Sequence, residues 1–454
     1  MKKSTRGMRR ERGAKCMRKK LGLIIGGVAM LAATPVLAYV PKGDEPVAVP
    51  RAIKQGIDFV YVDPDMNNVA RRHQRPQNWF QRILSFDFSG GRTGAPNVLF
   101  NQLGRGMRQY QATYGRLPQN KIPAGPVLKR GSTGKRVQLL RQRLGLYPSG
   151  GYDDQLFQAV ASYQTVHGIG PADGVAGKGT IASLNRGADY YEKRLAINLE
   201  RAFRLPAVRT FNRYVVVDSG AAEAYLFDRD RIVDGMKVVV GAPKTKTPMI
   251  AVIMRNAKAN PYWNVPPELV RSLTAKKVGE MGLSYFKSFH YEVLSDWGPN
   301  AQVVDPKTIN WKAIASGKKE PTMRVRQLPG PWNSMRNMKF EMPNDYGIYL
   351  HDTPHTELFA KNDRWLSNGC VRLQDYRRFA TWVFGSVPQP STPYEQTFNL
   401  PRPVPVYLTY LTVEPSNNGV VFRPDPYGWD ALAMPQMFGG RVAAAGDEDG
   451  GRRG

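Results

Sequence analysis

"YGIYLHDTPHTELFAKNDRWLSNGCVRL" spans residues 346–373. Its opening residues, 346–353, read as a β-strand, with Tyr349 and His351 on one face and Ile348, Leu350 and Asp352 on the other. Its end holds Cys370 behind Ser367, Asn368 and Gly369, a sequence that permits a tight turn, with Arg372 two residues on. One other cysteine occurs in the 454 residues, Cys16, within the first twenty. Why a long chain keeps a single thiol at this place depends on its compartment.

The N-terminus reads as an export signal. Residues 2–20 hold ten Lys or Arg against one acid, Glu11, and "LGLIIGGVAMLAATPVLA" (21–38) is apolar and uncharged. Small Ala38 before Tyr39 suggests cleavage there; the competing reading is a retained anchor, for which eighteen residues are barely long enough. Residues 1–38 are therefore expected to be a signal peptide or an inner-membrane anchor. Either way the basic flank stays inside and the bulk is exported, to the periplasm. Cys16 precedes the apolar run and no lipobox follows it, so it is not read as a lipid anchor. Without the leader a net charge of +28 falls to about +19, which points to a polyanionic partner. For an exported chain the expectation is the anionic cell wall and no nucleic acid. The mature chain then has one cysteine in an oxidising compartment. Such a thiol is either packed and inert or reactive.

Along the chain, residues 39–125 form a region of unclear role. It begins Pro-rich, and "NWFQRILSF" and "LFNQLGRGMRQYQATYG" read as short helices. Residues 126–187 read as a compact three-helix module: Val137, Leu140 and Leu144 recur at helical spacing behind a capping Ser132 or Thr133, and Leu156, Val160 and Tyr163 repeat the pattern. "DGVAGKGT" fails as a phosphate loop, because Gly179 follows Lys178 and Ala172 stands where glycine is required. A connecting helix is expected within 188–212, and β-strands from 213 ("RYVVVDSG", "AEAYLFD", "MKVVVGAP"). Residues 262–340 are irregular, with a helix-like "PELVRSL". A strand is expected at 404–413, and 437–454 read as a disordered tail.

Cys370 needs a base, and the chain has five histidines: His73, His167, His290, His351 and His355. His351 ends a strand near a loop-rich region and is the best placed. A metal site of His351, His355 and Cys370 is disfavoured, since Pro354 breaks the helix that the spacing of the histidines would need, and no further ligand is suitably spaced. A Cys–His pair fits better. A thiol is only a few per cent ionised at neutral pH, so imidazole must accept its proton, and a cationic Arg372 favours the anion. The amides of Gly369 and Cys370 are candidates for an oxyanion hole, one donor of which is worth about 3 kcal/mol.

With His351 nineteen positions before Cys370, and Cys370 set in Ser367-Asn368-Gly369-Cys370-Val371-Arg372, the segment resembles the L,D-transpeptidase (YkuD-type) signature. Asn368, where many members have His, resembles the YcbB-like branch, as do "NPYWNVPPELV", "LPGPWNSM" and "FRPDPYGWD". Leu128, Gly131, Ser132, Gly134, Val137, Leu140, Leu144, Asp173, Gly174, Gly177 and Thr180 resemble a peptidoglycan-binding domain. Together the resemblances cover roughly 120–435. They imply a multidomain α+β chain: a small three-helix wall-binding domain at 126–187, and a mostly-β catalytic sandwich at 213–436 with a capping insertion at about 262–340. They imply Cys370 as nucleophile and His351 as base, oriented by a backbone carbonyl rather than by Asp352. Ser367, Asn368, Gly369 and Arg372 would shape the loop and Tyr349 would touch the donor. Thr247-Pro248 matches a structural position, whereas His355 matches none and reads as a surface histidine. The implied reaction forms 3→3 cross-links between donor and acceptor tetrapeptide stems through a thioester, releasing D-alanine, with no metal or cofactor. Carbapenem acylation and other wall-synthesis enzymes as partners are further implications. Hydrolysis of the same thioester, a sortase-like enzyme and a catalytically decayed wall-binding protein are the rivals.

Overall fold

Runs of Val, Ile and Ala become the strands of one large sheet in the computed structural model, which describes residues 56, 58–66, 97–417 and 419–438. In chain order the strands are β1 (Val60–Tyr61), β2 (Arg213–Asp218), β3 (Glu223–Asp228), β4 (Arg231–Gly241) and β5 (Ile250–Ala259). An excursion carries β6 (Trp263–Val265), β7 (Tyr291–Leu294) and β8 (Arg324–Gln327). The main sheet resumes with β9 (Met338–Glu341), β10 (Leu350–His351), β11 (Trp365–Ser367), β12 (Val371–Leu373) and β13 (Gln396–Thr409). A hairpin of β14 (Val413–Ser416) and β15 (Gly419–Phe422) follows.

Pairing runs β5-β13-β2-β3-β4-β12-β10-β9, and β9 pairs back onto β5, so what the resemblance implies as a sandwich is one sheet closed on itself. Closure depends on β13, whose register against β5 shifts between Asn399 and Val404, across Pro401 and Pro403. Proline cannot donate to a ladder and collects at such irregularities. Beyond the shift, Asn256–Ala259 of β5 carries β13 on one edge and β9 on the other. Val217, Val238, Val240, Val252, Met254, Phe340, Leu350, Val371 and Leu408 fill the ring, with Phe379 and Ala380 from the helix Tyr376–Phe384.

The excursion has its own core. β6, β8 and β7 form a three-stranded sheet over Val265, Phe286, Val293, Trp311, Ile314 and Val325. The expected insertion boundary is corrected at its end, because Met338 and Phe340 point into the ring's core as part of β9. Tyr349, which belongs to the ring, packs against the insertion's core.

The helices Lys135–Arg143, Asp154–Val166 and Lys178–Arg186 enclose a separate core of Val137, Leu140, Leu156, Val160, Tyr163, Ile181 and Leu184. Asp153 caps the second by accepting from the Leu156 amide at 2.9 Å. Neither Ser132 nor Thr133 caps the first. Gly134 is its N-cap, and Ser132 Oγ instead accepts from Lys129 N–H, closing the preceding turn. The module docks through His167, stacked on Tyr163 at 3.7 Å and facing Phe422 of β15. Any Cβ at Gly168 would lie 2.1 Å from the Phe422 carbonyl.

The helix Val98–Tyr110, capped by Asn97, packs on Ala188–Phe203 and the hairpin. Buried Asp430 accepts from Arg194 (2.8 Å) and Arg201 (2.6 Å) and seats the C-terminal helix Trp429–Phe438. Met437 and Phe438, read from sequence as the start of a disordered tail, belong to that helix. The apolar stretch 21–38, "NWFQRILSF", His73 and residues after 438 lie outside the described residues.

Candidate active site

The strand expected at 346–353 is only two residues long, and its register organises the site. In the parallel pair β10–β12, Leu350 stands opposite Val371 and His351 opposite Arg372. Leu350, Val371 and Leu373 face the core. Alternation therefore puts Tyr349, His351, Cys370 and Arg372 together on the other face. The Val371 amide donates to the Tyr349 carbonyl at 3.0 Å, which brings Tyr349 level with Cys370. On the other side of β10, β9 sets Lys339 opposite His351, and β5 sets Lys258 opposite Lys339. Lys258, Lys339, His351 and Arg372 thus form one row across four strands, and Glu341, Tyr349 and Cys370 form the row beside it.

Cys370 is half-buried. Its thiol donates to the Gly347 carbonyl at 3.5 Å. Burial raises its pKa above the ordinary thiol value, opposed by the backbone amide and hydroxyl of Tyr349 and by the charges of Lys339 and Arg372. His351 is 2% exposed. Burial first, then Arg372 and Lys339, pulls it down to about 3, against the Asp352 and Ser334 carbonyls, which favour the imidazolium. Burial thus favours the uncharged form of both groups.

The Nδ1 of His351 faces the Asp352 carbonyl at 2.5 Å. That bond fixes the ring with a proton on Nδ1 and leaves Nε2 as the acceptor. The Asp352 carboxylate is used elsewhere. It accepts from Asn337 Nδ2 at 2.7 Å and from the Thr353 amide at 2.7 Å, tying the insertion's exit to the end of β10.

The cysteine loop is held by hydroxyls. Ser367 Oγ donates to the Cys370 carbonyl (2.6 Å) and accepts from the Gly369 amide (3.1 Å). Thr247 Oγ1 donates to the Gly369 carbonyl at 2.7 Å, and Thr245 Oγ1 to that of Ser367 at 2.8 Å. Gly369 has φ +119°, a conformation that side chains resist. One expectation changes here: the Gly369 amide, read as half of an oxyanion hole, is already committed to Ser367. The Cys370 amide makes no hydrogen bond among the described residues and is the donor left for that role. Asn368 is exposed at the tip of the turn. His355 is turned toward exposed Glu357 at 3.3 Å, and His167 and His290 are packed on Tyr163 and Trp332, outside the site.

Three contributors escape a motif reading. Lys339 lies with its Nζ 4.3 Å from the Tyr349 ring centre and 3.2 Å from Glu341. The Ser334 carbonyl comes from the insertion, and Thr245 sits after β4. Only Lys339 left a signal, the alternation Met338-Lys339-Phe340-Glu341, which marks a strand with one charged face.

Residues 212–395 match the sequence profile of the YkuD family, the L,D-transpeptidase catalytic domain. That span runs from β2 through β12 and includes Cys370, His351, Tyr349, Lys339 and the cysteine loop. Over this span the chain is similar to L,D-transpeptidase catalytic domains. A Haemophilus influenzae protein provisionally named an L,D-transpeptidase is 32% identical over 247 residues, 52% of this chain and 48% of that protein. The chain thus spans about half the length of this curated relative. An L,D-transpeptidase of known structure from Mycobacterium smegmatis has 13% identity and a TM-score of 0.22, covering 43% of this chain and 58% of that one. One from Xylanimonas cellulosilytica has 17% identity and a TM-score of 0.19, covering 63% and 100%. At these scores the overlays add nothing to the profile match.

Proposed function

We propose that the protein is an exported peptidoglycan L,D-transpeptidase that forms 3→3 cross-links between tetrapeptide stems. The observation that carries this reading is the shared face of Cys370 and His351 on adjacent parallel strands beneath the insertion. The profile match over 212–395 supports the reaction class.

The Cys370 sulfur attacks the carbonyl of the third stem residue as the thiol proton passes to Nε2 of His351. The Cys370 amide faces the developing oxyanion. Collapse breaks the bond to D-alanine, whose nitrogen takes the proton from His351, and a thioester remains. A side-chain amine of a second stem attacks it. His351 receives that proton and returns it to the departing sulfur. Neutral resting groups suit this cycle, because imidazole must be uncharged to accept.

Around this chemistry, the module at 126–187 holds the enzyme on the wall and the YcbB-like insertion covers the donor cleft. The basic surface favours carboxylate-bearing stems, and carbapenems acylate Cys370. Other wall-synthesis enzymes are its working neighbours, in the periplasm.

The test is intact-mass spectrometry of purified protein with disaccharide-tetrapeptide, using Cys370→Ala as control. The expected product is a Cys370-dependent dimer lacking one D-alanine. Tripeptide alone would replace this reading with an L,D-carboxypeptidase, and no Cys370-dependent product from folded protein would remove catalysis on this substrate.

A further inference from the structure

We propose that Lys339 is a positioning residue for the nucleophile: one fixed cation, held by Glu341 and Tyr349, that acidifies Cys370 and keeps His351 uncharged. The proposal rests on the Cys–His reading above and adds a residue outside the cysteine motif.

Register places the lysine. Lys339 is the direct neighbour of His351 across the β9–β10 pair, and its Nζ stands 4.3 Å from the centre of the Tyr349 ring. Tyr349 in turn is level with Cys370. The Lys339 side chain is 13% exposed, and its ammonium is 3.2 Å from Glu341 Oε1. A buried point charge held at both ends is not free to wander to a substrate carboxylate. Its effect is exerted through the field and through the tyrosine ring.

The charges facing the pair come from each strand around it. Lys339 and Glu341 come from β9, Tyr349 and His351 from β10, and Arg372 from β12 with exposed Glu357 near it. Lys258 of β5 bonds Glu341 at 3.3 Å and Glu395 at 3.1 Å, so the carboxylates are shared between two lysines. A cation beside the pair favours the deprotonated form of both members. The thiolate is stabilised and the imidazolium is disfavoured; the charge of Lys339 acts in this sense on both, opposing burial at Cys370 and adding to it at His351. Glu341 limits the same effect.

The experiment is the pH profile of iodoacetamide alkylation of the full chain from pH 5 to 10. It is read on the Cys370 peptide by mass spectrometry, so that Cys16 does not contribute. Lys339→Met moves the alkaline limb up by about one pH unit, a roughly tenfold slower reaction at pH 7. Lys339→Arg stays within about twofold of wild type. Glu341→Gln moves the limb the other way, so the idea can still fail should the methionine variant not fold. An unmoved limb in folded Lys339→Met, or Lys339→Arg behaving like Lys339→Met, overturns it. If wild type makes no product from tetrapeptide while the limb still moves, the proposed reaction fails and the role of Lys339 stands. If product forms and the limb does not move, the reverse holds.

Discussion

Tyr349 lies level with Cys370 across the β10–β12 pair while its ring packs against the core of the insertion, so one residue joins the cysteine loop to the insertion. The same ring lies 5.8 Å from that of His351. Its hydroxyl and backbone amide favour the Cys370 thiolate. Tyr349→Phe removes the hydroxyl alone and is expected to slow acylation of Cys370 ten- to a hundredfold, the loss of one hydrogen bond to a charged group. Tyr349→Ala adds loosening of the insertion, read as faster proteolysis within 262–337. Equal acylation rates for the Tyr349→Phe variant and the wild-type protein would remove the hydroxyl from the mechanism.

Ser367 and Gly369 fix the cysteine loop by different means. A Cβ at Gly369 would meet Ile348 Cδ1 at 3.2 Å, at a φ of +119°. Gly369→Ala is expected to cost about 1–3 kcal/mol and to displace Cys370. Ser367→Ala leaves the Gly369 amide and Cys370 carbonyl without their shared partner, a loss of about 1–2 kcal/mol. Thermal melts beside single-turnover acylation check both. A Gly369→Ala enzyme with unchanged melting and turnover would contradict the loop geometry.

The Asp352 carboxylate holds the insertion's exit, and only the backbone carbonyl of this residue bonds His351. Asp352→Asn places an amide donor against Asn337 and is expected to lower stability by about 1–3 kcal/mol. The pH limbs of Cys370 acylation should stay in place. A shifted limb would restore the carboxylate to the proton path.

Acid stability reports on buried histidine. His167 is pulled down to about 3 by burial, against about 6.5 for a free histidine. Between those values the unfolded chain binds a proton that the folded chain refuses, so stability falls as pH drops through 6.5. The loss from pH 6.5 to 4.5 is about 2 kcal/mol for this residue. His351 has the same sign. Asp218, raised to about 6 by burial, has the opposite one, since the folded chain takes up its proton first. Denaturant titrations of His167→Gln should show a shallower fall over that window, and an unchanged slope would argue against a neutral buried imidazole.

Much of the site was legible because it is local in sequence. His351, Tyr349 and the turn before Cys370 lie within twenty-eight residues, and period-two alternation assigns their faces before any fold is known. The three-helix module was legible for the same reason, its core positions recurring at helical spacing. What did not show was the direction in which the folded backbone turns each polar group, and which strands pair. Gly369 reads as a free amide until Ser367 Oγ is seen to occupy it. Ser132 reads as a cap until its turn closes on Lys129. Lys339, twelve residues before His351, becomes its neighbour only because β9 turns back antiparallel to β10. Sequence alone determined which reactive residue types stand close together along the chain and which way their strand presents them. Tertiary structure decided which amide is free, which carbonyl orients the imidazole and which charges bear on the thiol, because hydrogen bonds and fields depend on the distances and directions the folded backbone sets, even between near neighbours in sequence.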